Sequence, residues 1–196
     1  MHYRQRFAGH RGCAVLLALI TLLSSSMAEE RLAPFLGSPA FEKQRLFGDQ
    51  RYPNVVVTTK GTVLAVWGND GVSVRRSEDG GKSWKSVISV AEAGYHGGGT
   101  TVDAKSGDIL IFVEDRQPPA PLTVYRSEDD GKSWQAQETT IEKDANGNTP
   151  SMHMNEHGVT LRHGAHQGRL VRPSRYYGPN GGDAEWPCQY TNAIYS

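Results

Sequence analysis

An eight-residue pattern, Ser-x-Asp-x-Gly-x-x-Trp, occurs twice in this 196-residue chain. The copies are SEDGGKSW at Ser77–Trp84 and SEDDGKSW at Ser127–Trp134, fifty residues apart and different only at the fourth position. A unit repeated at that period points to a fold made of stacked copies, as in propellers and solenoids. The residues before each copy, VSVRR and LTVYR, place Val72 and Val74, then Leu122 and Val124, at alternate positions, the period of a strand buried on one face. The octet itself is turn chemistry. Asp79 and Asp129 can accept hydrogen bonds from nearby backbone amides. Gly81 and Gly131 can take a positive φ without steric cost. Trp84 and Trp134 are expected to open the next strand and offer an apolar plate for packing. TNAIY precedes Ser196, so Ser196 stands in the context of Ser77 and Ser127, as the first letter of a third copy.

The remaining chain supports an all-β reading. Residues 1–28 read as a signal peptide: Arg4, Arg6 and Arg11 form a basic start, Cys13–Leu23 is a short apolar run, and Ser26-Met27-Ala28 offers a cleavage site. The apolar run is too short to span a bilayer comfortably, so export with no stable membrane span after cleavage is expected. Cleavage removes three arginines and no acid, leaving 18 basic against 21 acidic residues and no basic stripe, which argues against a nucleic-acid partner. Only Cys188 would remain, so a packed core rather than disulfides must hold the fold. Residues 29–48 form a lead-in with Pro34 and Pro39. Over 49–196, NVVVTT, TVLAVWG, VSVRR and the stretch from Trp84 predict a first four-stranded blade. GGGTTVDA, ILIFVED, LTVYR and the stretch after Trp134 predict a second. MHMNEHGVTLRHG, GRLVRPSRYY and QYTNAIYS begin a third.

The octet resembles the Asp-box, or BNR repeat, of the sialidase (neuraminidase) superfamily. The resemblance implies an all-β fold, a β-propeller of the six-bladed sialidase type, of which 49–196 supplies about two to three blades and so an N-terminal part. In that family the box is a structural hairpin, so Ser77, Asp79, Gly81, Trp84, Ser127, Asp129, Gly131 and Trp134 are expected to brace blades rather than react. The implied activity is that of an exo-α-sialidase, a glycoside hydrolase releasing terminal sialic acid from glycoconjugates. No cofactor and no metal are implied, and the partner would be a sialylated glycan or another acidic sugar.

Family members grip the sugar carboxylate with three arginines, whose planar guanidinium bonds it bidentately. An Asp serves as acid/base and a Glu-activated Tyr as nucleophile. Arg51-Tyr52-Pro53 followed by a buried run and the Lys60-Gly61 turn resembles the family's Arg-Ile-Pro opening, with Tyr for Ile, so Arg51 is the expected first arginine. The family's Asp lies on the loop after the second strand. Here that loop is Gly68-Asn69-Asp70-Gly71, and Asp70 is its only carboxylate. The same residues are good hairpin chemistry, so Asp70 stands between a catalytic and a turn role. Gly158–Tyr177 resembles the family's Gly-His-Gly-Ile-Gln-Leu…Gly-Arg-Leu-Val-Pro segment, which makes Tyr176 and Tyr177 candidate pocket-lining residues, with Arg175 beside them and Arg169 bracing the blade. The family's Tyr, its Glu and two further arginines match nothing here, so this chain alone is expected to be inactive.

Two other readings compete. Asp-boxes fit a non-catalytic propeller that binds glycans or an exported protein equally well. His153-Met154-Asn155-Glu156-His157 fits a zinc pattern, H-x-x-E-H, that needs a helix, whereas Pro150, Asn155 and Gly158 favour strand and turn. His96 and Glu114-Asp115-Arg116 fall at strand ends of the second blade with no role fixed for them.

Overall fold

A computed structural model of the chain describes residues 43–48, 51–97, 99–115, 122–147, 157–177 and 189–196. Residues 1–28, where a signal peptide is expected, Arg116, the His153–Glu156 part of the zinc-like pattern and Cys188 lie outside the described residues. Gln44–Ser196 forms a single unit, and among its described residues every regular element is a strand.

The first sheet runs β1 (Asn54–Val57), β2 (Val63–Trp67), β3 (Val72–Ser77) and β4 (Ile88–Ala91), antiparallel and in chain order. In the second, β5 (Tyr95–His96) and β6 (Thr101–Val102) both pair with β7 (Ile109–Glu114), followed by β8 (Leu122–Ser127) and β9 (Gln135–Gln137). The third holds β10 (Val159–Thr160), β11 (Leu170–Tyr177) and β12 (Gln189–Tyr195). One register recurs in all three sheets. Ser77 sits opposite Val63 and Ser127 opposite Ile109. Likewise, Ser196 donates its amide to the Leu170 carbonyl and accepts the Leu170 amide on Oγ. The three sheets are successive blades of a partial β-propeller. The first strands of the blades are neighbours, with β6 between β1 and β10.

The core lies between blades, which explains the unbroken apolar run of β7. Ile109, Ile111 and Val113 face the first blade and pack with Leu64, Val66, Val72 and Val74. Phe112, from the other face of β7, joins Val124 in a cluster that reaches Ile194 of the third blade. A strand buried on both faces loses the polar alternation of a half-exposed one. Each residue of that run therefore removes apolar surface from water, at about 25 cal/mol per Å².

The Ser, Asp and Gly positions of the two octets make the same bonds, while the tryptophans differ: only the Trp84 indole turns back to a glycine carbonyl, and β9 begins directly after Trp134. The Ser77 hydroxyl accepts the Gly81 amide at 2.8 Å and donates to Asp79 Oδ1 at 2.8 Å, and Asp79 Oδ1 accepts the Ser83 amide at 2.9 Å. Ser127, Gly131, Asp129 and Ser133 repeat these bonds. The Ser83 hydroxyl and amide, with the Ser77 hydroxyl, hold the Asp79 carboxyl far below the usual carboxylate range. Burial pushes Asp129 up, but the Ser133 and Ser127 hydroxyls and the Ser133 and Lys132 amides outweigh it and bring it down to about 2.

The one differing position supplies the contact between the first two blades. Gly80 (φ 72°) and Asp130 (φ 67°) share a left-handed backbone, and Asp is among the residues that tolerate it. Asp130 Oδ2 accepts from the Thr62 hydroxyl at 2.6 Å and from Arg76 at 2.9 Å, while Arg76 Nε donates to the Asp130 carbonyl at 2.8 Å. These groups are buried, so the second turn clasps the first blade through a fully engaged ion pair. Burial pushes the Asp130 carboxyl up, yet the Thr58 and Thr62 hydroxyls and Arg76 hold it below its ordinary value.

Two strand expectations need correction. Trp84 does not open a strand: its indole Nε1 donates back to the Gly81 carbonyl at 3.1 Å, and β4 starts only at Ile88. The first strand of the second blade does not run continuously from Gly97. It begins at Tyr95 and is split into β5 and β6 by the glycines after His96.

Candidate functional site

The strand directions decide which candidate residues share an end of the blades. The start of β2 lies near Asp130 and the turn ahead of β7, since a Cβ on Gly107 would stand 2.9 Å from Thr59 Oγ1. The end of β2 lies beside β5: the His96 amide donates to the Gly68 carbonyl at 3.0 Å and the Gly71 amide to the Gly94 carbonyl at 3.0 Å. Tyr95 in turn pairs with Glu114 at the end of β7. In the third blade, Thr160, opposite the first residue of β11, accepts the Ala104 amide at 2.9 Å beside the turn ahead of β7. The second strands β2, β7 and β11 therefore end at the same side of the molecule. Arg51, Asp70, Glu114, Tyr176 and Tyr177 lie there. The two octet turns, which start at Ser77 and Ser127 opposite the starts of β2 and β7, lie at the other side, about 20 Å away at roughly 3.3 Å per residue of strand.

Arg51 and the loop of Asp70 are joined directly. The Arg51 amide donates to Asn69 Oδ1 at 3.1 Å, and the Gly68 amide donates to the Arg51 carbonyl at 3.1 Å. The Arg51 guanidinium is exposed and lies over the Tyr52 ring, 5.0 Å from its centre. Asp70 is exposed and makes no hydrogen bond to the described residues, so its carboxylate is open to solvent. Turn and site chemistry divide between neighbours in this four-residue loop. Asn69 ties the loop down, and Asp70 is left to face outward.

Tyr52 carries the only strained backbone in this corner, at φ 59° immediately before Pro53. Its ring meets Tyr95 edge-on at 6.0 Å, and its carbonyl accepts from His96 Nδ1 at 2.9 Å. A proton on Nδ1 is what that carbonyl requires, so His96 is the neutral tautomer with Nε2 unprotonated. Burial pushes the His96 pKa down to about 4, with the nearby Arg172 charge adding to the effect against the pull of the Tyr52 carbonyl. Around it lie Glu114, 1% exposed, and Arg172, which covers the Phe112 ring at 3.8 Å. Phe47 of the lead-in stacks on Trp67 at 4.4 Å and covers the end of β2.

Tyr176 and Tyr177 occupy the last two positions of β11, opposite Tyr190 and Gln189, and their side chains lie outside the described residues. Arg175 pairs with Thr191 one position before them. Arg169 lies at the opposite end of that blade, where its guanidinium covers Tyr195 at 4.6 Å, a bracing contact. His157 is exposed and is itself in no helix or strand. Sequence reasoning had no means of seeing the tie from His96 to Tyr52, because the partners are 44 residues apart and meet only when two blades pack.

The described residues also enclose a cavity of about 880 Å³ between the second and third blades, lined by Leu110, Phe112, Val124, Ile141 and Ile194 among others. It is apolar on one side and separate from the Arg51–Asp70 corner.

No protein-family model matches the chain, and no curated protein matches it. Solved structures similar to it include an α-L-arabinofuranosidase of Fusarium graminearum in complex with arabinobiose, at 14% identity and a TM-score of 0.44 over 75% of this chain and 45% of that one. An ulvan lyase, a polysaccharide lyase, bound to a GlcA-Rha3S oligosaccharide is 10% identical with a TM-score of 0.46, over 79% of this chain and 40% of that one. A protein of unknown function from Dyadobacter fermentans is 14% identical with a TM-score of 0.42, over 78% of this chain and 66% of that one. The chain spans less than half the length of the arabinofuranosidase and the lyase.

Proposed function

We propose that the protein built from these blades is an exported exo-α-sialidase-like glycoside hydrolase that releases terminal sialic acid. The observation that carries this reading is the junction of the Arg51 backbone with the Asp70 loop through Asn69 and Gly68, which brings two exposed residues of opposite charge to one corner of the fold. Arg51 offers the planar donor fork that a sugar carboxylate takes bidentately. Asp70 is the group to protonate the leaving oxygen and later to deprotonate the attacking water. Tyr176 and Tyr177, at the same end of the blades, would border the rest of the sugar. The reacting nucleophile and the remaining carboxylate-binding arginines would come from further blades, so these residues bind and orient without completing the reaction.

Hydrolysis of a fluorogenic α-sialoside by the full-length protein tests this. Arg51→Ala should raise KM and lower kcat/KM by about a hundredfold, the loss of one charge-assisted bidentate contact. Asp70→Asn should lower kcat by about 10²–10⁴-fold, the usual range for a general acid/base. Turnover unchanged in both variants would remove the two residues from the site. Binding of N-acetylneuraminic acid without any cleavage would make the protein a non-catalytic glycan-binding propeller instead.

A further inference from the structure

We propose that His96 is the positioning residue of the Arg51–Asp70 corner, the one group of the second blade that fixes both candidate residues of the first. Its amide holds the Gly68 carbonyl at 3.0 Å, at the base of the Asp70 loop. Its Nδ1 holds the Tyr52 carbonyl at 2.9 Å, directly after Arg51. The two segments so captured are themselves joined by the bonds from Arg51 to Asn69 and from Gly68 to Arg51. The arrangement is a closed ring of four hydrogen bonds through three chain segments, and His96 is the member that donates twice.

The backbone at Tyr52 makes this tie consequential. A non-glycine residue at φ 59° persists only where its surroundings over-determine it. Pro53 restricts Tyr52 from one side, the Tyr95 ring packs on it from another, and the imidazole N–H captures its carbonyl. Releasing that carbonyl would let the peptide between Tyr52 and Pro53 relax and swing Arg51 away from the Asp70 loop. His96 suits the task because it is fully buried, with a rigid ring and a donor fixed in place. Gly97, which follows it, leaves room for the Glu114 carboxylate, which a Cβ there would strike.

This role rests on geometry for what His96 holds and on the proposed function for what the corner does, so two measurements separate them. Amide hydrogen exchange on the full-length protein should show Arg51 and Gly68 exchanging about tenfold faster or more in His96→Leu, the scale of one lost buried hydrogen bond. Exchange at Val66, Val74, Ile111 and Val124 should stay as in the wild type. His96→Asn, whose side-chain N–H can reach the same carbonyl, should restore the Arg51 and Gly68 rates to within about threefold of wild type. In parallel, KM for the fluorogenic α-sialoside should rise in His96→Leu and recover in His96→Asn. Unchanged exchange at the corner in His96→Leu, a uniform rise over all six amides, or no rescue by Asn would each overturn the positioning role. Absence of sialoside turnover in the wild type, with the corner still responding as stated, would overturn the sialidase reading and leave the role of His96 standing.

Discussion

At the residue scale, His96 couples the fold to pH in a window that neither octet carboxylate, Asp79 or Asp129, shares. Its folded pKa of about 4 lies below the ordinary histidine value of 6.5, so the unfolded chain takes up a proton first as pH falls. The stability tied to the neutral ring is fully present above pH 6.5 and is lost as pH falls toward 4, by about 3 kcal/mol in all. The charged and titratable groups around it are Arg172, Glu114, Tyr52 and Tyr95. Urea midpoints measured from pH 7 to pH 4 should show this decline, and His96→Asn should flatten it. Asp129, held down at about 2, contributes above its ordinary range and loses its contribution only at lower pH, as it is protonated. Asp130 acts through sterics and charge together. Asp130→Ala should cost about 2–3 kcal/mol, because it takes the buried carboxylate from Arg76 and leaves that guanidinium only the half-exposed Glu78. Asp130→Gly, the residue of the first copy, should cost about 1 kcal/mol less, since glycine accepts the left-handed backbone freely. Chemical denaturation of the two variants side by side would rank them.

Elements were legible where local chemistry dictated them. The Ser-Asp-Gly turns fold as their side chains require, and β3 and β8 lie where alternation put them, because both signals are complete within ten residues. The two tryptophans were not separable from the octet: β9 begins directly after Trp134, whereas Trp84 folds its indole back on the Gly81 carbonyl and β4 waits until Ile88, although both follow the same Gly-Lys-Ser. β5 escaped notice because two residues carry no periodicity, and its identity is set by pairing with Val113 and Glu114. Of the candidate site, Arg51 and Asp70 could be named from the order of motifs along the chain. The clasp and the His96 tie could not, because each joins residues more than forty positions apart. The octet bonds also make a prediction at this scale. Ser127→Ala removes the acceptor of the Gly131 amide and a donor to Asp129, and should cost about 1–3 kcal/mol in a thermal or urea titration. Gly131→Ala should cost a similar amount, because its φ is 79° and a new Cβ would stand 3.1 Å from Leu64.

For the whole molecule, the first blade presents a bare margin. Among the described residues β1 pairs only with β2, and Val55 and Val57 are 59% and 60% exposed on it. An apolar strand with one unpaired side is a template for adding another chain. Val57→Lys should therefore lower light scattering at high protein concentration while leaving the melting temperature nearly unchanged. The opposed placement of the octet turns and the candidate site carries a different meaning. One end of the blades is fastened by Ser77 and Ser127 and by the Asp130 clasp. The other is fastened by the loop between β2 and β3, through Gly68 to His96 and Gly71 to Gly94. A lineage changing its sugar preference could rewrite Asp70, whose exposed side chain makes no hydrogen bond to the described residues, while the Gly68 and Gly71 backbone went on joining the blades beneath.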